Sequence, residues 1–142
     1  MTGETDLEAL LAGMDPVLSD GVYVFATAPG ADLATFEPRE AVCAALMLFA
    51  EPEGVTLILP ERAALALGLE LAFRCRLITL NVHSSLDAIG FLARITAQLA
   101  SLEMGVNPVS AFHHDHLFVP EARAEEALKA LKALAADASA AS

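Results

Sequence analysis

The order of hydrophobic periods from Phe73 onward leaves this chain little freedom. FRCRLITLNV alternates as a strand does, with a change of phase at Ile78 that predicts a bulge or a strand starting late. Ile89, Leu92, Ile95, Leu99 and Leu102 then form one stripe at helical spacing, with Asp87, Arg94, Gln98 and Ser101 opposite, which predicts a helix from Leu86 to Glu103. MGVNPVSAF and LFVP read as two strands joined by the turn His113-His114-Asp115-His116, and a helix is expected from Glu121 to about Ala136. Within it Glu121, Glu125 and Glu126 come early and Lys129 and Lys132 late, as the helix dipole favours. The economical packing of a β-α-β-β-α order sets the helices on one face of an antiparallel sheet.

The first half repeats this theme less completely. Leu7, Leu10 and Leu11 predict a short helix ended by Asp15-Pro16, and GVYVFATA a strand covered on both faces. AALMLFAEPEGVTLILPE is a hairpin turning through Glu51-Pro52-Glu53-Gly54. Pro29 to Arg39 reads as a loop with one helical turn near its end, and Glu61 to Leu69 as a helix. The expected class is α+β, built of tandem ferredoxin-like units with antiparallel sheets. An incomplete N-terminal unit is expected over residues 1–70, a second over 71–136 and a frayed tail over 137–142.

Charge and hydropathy narrow the partners. With 8 Lys+Arg against 19 Asp+Glu the net charge is -11, so nucleic acid and anionic membrane surfaces would be repelled. Charge or proline interrupts every apolar run short of the ~20 residues a membrane-spanning helix needs. The start MTGETDLEALLAGMDP is acidic and lacks the basic-then-apolar order of a secretory signal, so a cytoplasmic location is expected. Cys43 and Cys75 each lie in an apolar run and form no motif, as reduced thiols would. So much Ala, Leu and Val in a small fold leaves apolar surface for self-association, and a homodimer is expected.

Candidate chemistry concentrates in VHSSLDAIG and in HHDH. Ser84 or Ser85 can cap the following helix, whose first N–H groups favour a carboxylate. Gly90 permits close approach of a ligand, and Asp87 can receive an ammonium group. The plainer alternative is a capped helix with no ligand. In an extended strand His114 and His116 face one side and His113 and Asp115 the other, so no single ion gathers all of them. A polar hairpin turn is therefore expected there rather than a metal. Ser84, His83, His114 and Asp115 offer hydrolase residue types, but no spacing fixes a triad, and there is no phosphate loop, nucleophile elbow or dinucleotide fingerprint. Neither catalysis nor a cofactor is expected.

The segments GVYVF, FAEPEGVTLILP, ITLNVHSSLDAIGF and HHDHLFVP together resemble the ACT domain family, and more narrowly small stand-alone bacterial proteins made of two ACT-like units. The likeness runs from about Pro16 to Leu134. It implies a non-catalytic sensor that holds a small-molecule effector, typically an amino acid, at the junction of paired units, and whose bound state a protein partner reads. By the same resemblance the ligand contacts are His83, Ser84, Ser85, Leu86, Asp87, Ile89 and Gly90, with Asn107 at the start of the second strand; the turn His113, His114, Asp115 and His116 is expected to line the opposite wall with Asn107. The rival readings are a metal-dependent or His-assisted hydrolase using His83 and the HHDH cluster, and a purely structural interaction module.

Overall fold

In the computed structural model, which describes residues 2–37 and 39–141, the chain runs α1 (Leu7–Gly13), β1 (Val17–Leu18), β2 (Tyr23–Pro29), α2 (Arg39–Ala44), β3 (Met47–Glu51) and β4 (Gly54–Pro60). It continues through α3 (Glu61–Ala66), β5 (Glu70–Thr79), α4 (Phe91–Ala100), β6 (Asn107–Ser110), β7 (Asp115–Pro120), a 3-10 turn (Glu121–Arg123) and α5 (Ala124–Ala141). The architecture is α+β with antiparallel pairing, of the tandem ferredoxin-like kind expected. Its contacts fall into two units, Gly21–Cys75 on the one hand and the residues up to Asp20 with those from Arg76 onward on the other.

In the Gly21–Cys75 unit β4 lies between β3 and β2, and β2 also pairs with the start of β5. Alternate residues of the pairs Val24↔Leu59, Ala26↔Leu57 and Ala28↔Val55 point to one side, where Ala41 of α2, Ala64 of α3 and Phe36 complete a buried cluster. Each fully buried Leu or Val contributes roughly 1.5–3 kcal/mol, so this small unit depends on very few side chains. The register of β2 on β5 shifts between Tyr23 and Phe25, at a bulge where Phe73 takes φ 52° and meets the Phe25 ring edge-on at 5.8 Å.

The bulge thus precedes the change of phase that the sequence shows. Cys75 is buried and then Ile78 and Leu80, so the phase changes where β5 leaves one unit for the other; Ile78 and Leu80 join the core of the second unit, while Cys75 lies across from Tyr23.

In the second unit β1 pairs antiparallel with the end of β5, Val17↔Thr79 and Leu18↔Ile78. β7 lies between that end of β5 and β6, its register on β6 running from Asn107↔Phe118 to Ser110↔Asp115. The core draws Leu10 and Leu11 from α1, Phe91, Ile95 and Leu99 from α4, Leu117 and Val119 from β7 and Leu131 from α5. Helix α1 packs on both α5 and α4.

Several expectations change here. Helix α4 begins at Phe91, not Leu86, because Gly90 at its N-cap takes φ 89°, outside helical geometry. Its buried stripe is Phe91, Ile95 and Leu99, while Ile89 is 87% exposed. Ser85 closes a turn by accepting the Asp87 N–H at 3.1 Å instead of capping α4. The hairpin turn spans 111–114, since Asp115 is already the first residue of β7. The alanine-rich tail continues α5 to Ala141, with the Ser139 hydroxyl donating to the Ala12 carbonyl at 3.2 Å.

Candidate functional site

The site is built where β5 hands over to α4. Asn81, at φ 46°, turns the chain out of the strand, and the Leu80 N–H donates to the Asp115 carbonyl at 3.1 Å. The next residues fold back so that Ser84 and Ser85 are buried at the foot of β7. The Ser84 hydroxyl donates to Asp115 Oδ2 at 2.9 Å, and the Ser110 hydroxyl to Oδ1 at 2.6 Å. A carboxylate left 5% exposed is thus held from both sides.

Beside it opens a cavity of about 180 Å³ bounded by Ser84, Ser85, Leu86, Ala88, Ser110, Asp115 and the start of α4 from Gly90 to Ala93. No side chain caps α4, and its first ladder bond runs from the Arg94 N–H to the Gly90 carbonyl at 3.0 Å. The N–H groups of Phe91, Leu92 and Ala93 therefore have no partner within the helix, and they stand at its positive end. One small cavity joins an anion-favouring wall to a buried carboxylate. A dry cavity of about 150 Å³ takes a benzene-sized guest, so the size suits a molecule of roughly six to eight heavy atoms.

Of the residues expected at a site, the fold gathers Ser84, Ser85, Leu86, Gly90 and Asp115 around this cavity. Asp87 and Ile89 are exposed and do not line it, and Asn107 is an exposed residue of β6 opposite Phe118. The histidines form a separate file. The ring centroids of His83 and His113 are 5.3 Å apart and those of His114 and His116 6.5 Å apart. His114 Nδ1 donates weakly to the Val82 carbonyl at 3.3 Å, His116 Nδ1 lies 2.9 Å from the Thr79 hydroxyl, and the buried His83 Nε2 has no hydrogen-bond partner among the described residues. Burial, then the nearby His114, lowers the His116 pKa below its ordinary value, against the pull of Asp115. Among the described residues no group of three or more His, Cys, Asp or Glu is placed to hold a metal ion.

Sequence reasoning missed Ser110 and the wall formed by Ala88 and Phe91 to Ala93. Ser110 could have been found from hairpin register, which sets it directly across from Asp115. The other unit carries a wider, open groove of about 430 Å³ along Phe25, Thr27, Thr56 and Leu71, with Glu51 and Glu70 at its margin.

The sequence matches the ACT domain family twice, over residues 2–76 and over 72–133. The chain belongs to the ACT domain family. The domains of this family are regulatory and ligand-binding. The two matches meet inside β5, whereas residues up to Asp20 fall in the first match and pack with the second unit. A solved Vibrio cholerae protein of unknown function, described as a possible transport protein, is 39% identical with a TM-score of 0.77, covering 91% of this chain and 95% of its own. An Agrobacterium tumefaciens protein shares the fold at 14% identity and a TM-score of 0.71, covering 86% of this ACT chain and 89% of its own. So does the regulatory subunit of aspartate kinase from Thermus thermophilus, at 12% identity and a TM-score of 0.63, over 87% of this chain and 97% of its own. No curated protein matches the chain.

Proposed function

We propose that this ACT protein is a non-catalytic sensor of a small α-amino acid, bound in the cavity between Asp115 and the start of α4. The observation that carries the reading is the pairing, on one cavity of about 180 Å³, of a buried carboxylate with an uncapped helix N-terminus. The effector carboxylate would accept from the N–H groups of Phe91, Leu92 and Ala93. Its ammonium would donate to Asp115, each of whose oxygens keeps a lone pair after accepting one serine hydroxyl. Leu86 and Ala88 would meet the side chain.

The family and the likeness to an aspartate kinase regulatory subunit support a regulatory role. Ser84 donates to a carboxylate and to no imidazole, which supports binding over hydrolysis. Binding would favour one arrangement of the Val82–Gly90 loop, and a protein partner would read it. We place the protein in the cytoplasm as a homodimer. Both cysteines are free thiols, and β3 ends its sheet with Phe49 62% exposed, an edge a second copy would cover.

The test is a thermal-shift screen against the twenty amino acids, each with and without chelator. One or a few small amino acids at about 100 times Kd should add about 2.7 kcal/mol, or roughly 5–10 °C for a chain of this size. No response to any amino acid, with a fall in Tm on chelation, would replace this reading with the metal-dependent one.

A further inference from the structure

The loop carrying Ser84 and Ser85 is fastened by the other end of the chain. Glu4 makes an isolated parallel bridge to Ser84: its N–H donates to the His83 carbonyl at 2.8 Å, and its carbonyl accepts the Ser85 N–H at 2.9 Å. The Glu4 carboxylate turns back to accept the N–H groups of Thr5 and Asp6, both at 2.8 Å, which fixes the path into α1. Asp6 then caps α1 by accepting the Ala9 N–H at 2.8 Å, and Leu10 and Leu11 anchor that helix in the core. Gly3 packs so closely on the loop, at φ +106°, that a Cβ would come within 2.6 Å of Ser85 N and 2.9 Å of the Ser84 carbonyl carbon. Only glycine fits between the strap and the loop.

We infer that Gly3 and Glu4 are positioning residues of the effector cavity, and that the N-terminal strap sets effector affinity by holding Ser84 where its hydroxyl reaches Asp115. The inference rests on the proposed sensor reading. Neither strap residue touches the cavity. Glu4 acts through its backbone bonds and Gly3 through its close packing on the loop that forms one wall, so releasing the strap leaves the binding groups intact and removes their preorganisation. The same path ties the Ser84–Ser85 loop to α1, which packs on α4 and α5.

The test compares the wild type with Gly3→Val and with Gly105→Ala, the latter at a glycine with open space around it. The readouts are the Kd of the amino acid found in the screen and hydrogen exchange at the Ser85, Ile95 and Leu99 amides. Gly3→Val is expected to weaken binding on the order of tenfold and to deprotect Ser85 while Ile95 and Leu99 stay protected. Gly105→Ala, outside the cavity lining, should bind as the wild type does. An unchanged Kd in Gly3→Val would overturn the inference. A wild type that binds no amino acid would instead refute the sensor reading, and exchange would still decide on the strap, since an unchanged Ser85 rate in Gly3→Val would refute it.

Discussion

Ser84 and Asp115, 31 residues apart in the chain, meet through a 2.9 Å hydrogen bond that ties the loop before α4 to the first residue of β7. With Ser110 on its other oxygen, the Asp115 carboxylate is oriented before any ligand arrives. Asp115→Asn keeps the shape, removes the charge and sets an amide donor against one serine hydroxyl. A charge-assisted hydrogen bond is worth about 1.5–3 kcal/mol, so affinity for an ammonium-bearing effector should fall roughly tenfold to a hundredfold. Calorimetric titration reads it, and unchanged affinity would remove Asp115 from the site.

Gly90 holds α4 at its starting point. Its φ of 89° is costly for any residue with a Cβ, although the space is open, with Leu7 Cδ2 at an ordinary 3.6 Å. Gly90→Ala should therefore cost about 1–2 kcal/mol through backbone strain alone, seen as a lower urea midpoint with an unchanged slope.

Burial pushes the Cys75 thiol up to about 12, and its Sγ faces the Tyr23 carbonyl at 3.4 Å, whereas Cys43 is exposed. The native protein should expose a single thiol to a disulfide reagent at pH 8, and both after denaturation. Because the folded pKa lies above the unfolded one, the stability this thiol contributes is complete below pH 9 and is lost as pH rises toward 12. Two thiols reacting equally fast in the native state would contradict the packing.

His116 works in the opposite direction. Its pKa is lowered from 6.5 by burial and by His114, so the folded state disfavours the proton that the unfolded chain accepts. The stability it contributes is complete above pH 6.5 and is lost as pH falls through the lowered native value. Urea midpoints between pH 7.5 and 5 should drop for the wild type and drop less for His116→Gln.

The sequence revealed the order of elements because the hydrophobic period does. The Glu51 to Gly54 hairpin and the helices around Ile95 and Leu131 lie where their spacing put them. Hydrophobic periodicity does not reveal that Gly90 leaves helical geometry, so the spacing puts Ile89 on a stripe that it does not join in the fold. The residue types at the site were readable, and their pairing was not. Asp87 is near the serines in sequence yet exposed, while Asp115 meets Ser110 through the register of β6 on β7 and Ser84 where its carbonyl accepts the Leu80 N–H. The Glu4 strap left no trace, because its bonds to His83 and Ser85 are backbone bonds that any residue type can make.

The most direct measurement is a ¹H–¹⁵N NMR titration of the labelled chain with the amino acid that raises Tm. The account predicts saturable shifts at the amides of Phe91, Leu92 and Ala93 together with Ser84 and Asp115, which in Asp115→Asn need roughly tenfold to a hundredfold more ligand. Shifts that leave these amides unmoved and gather elsewhere would contradict it.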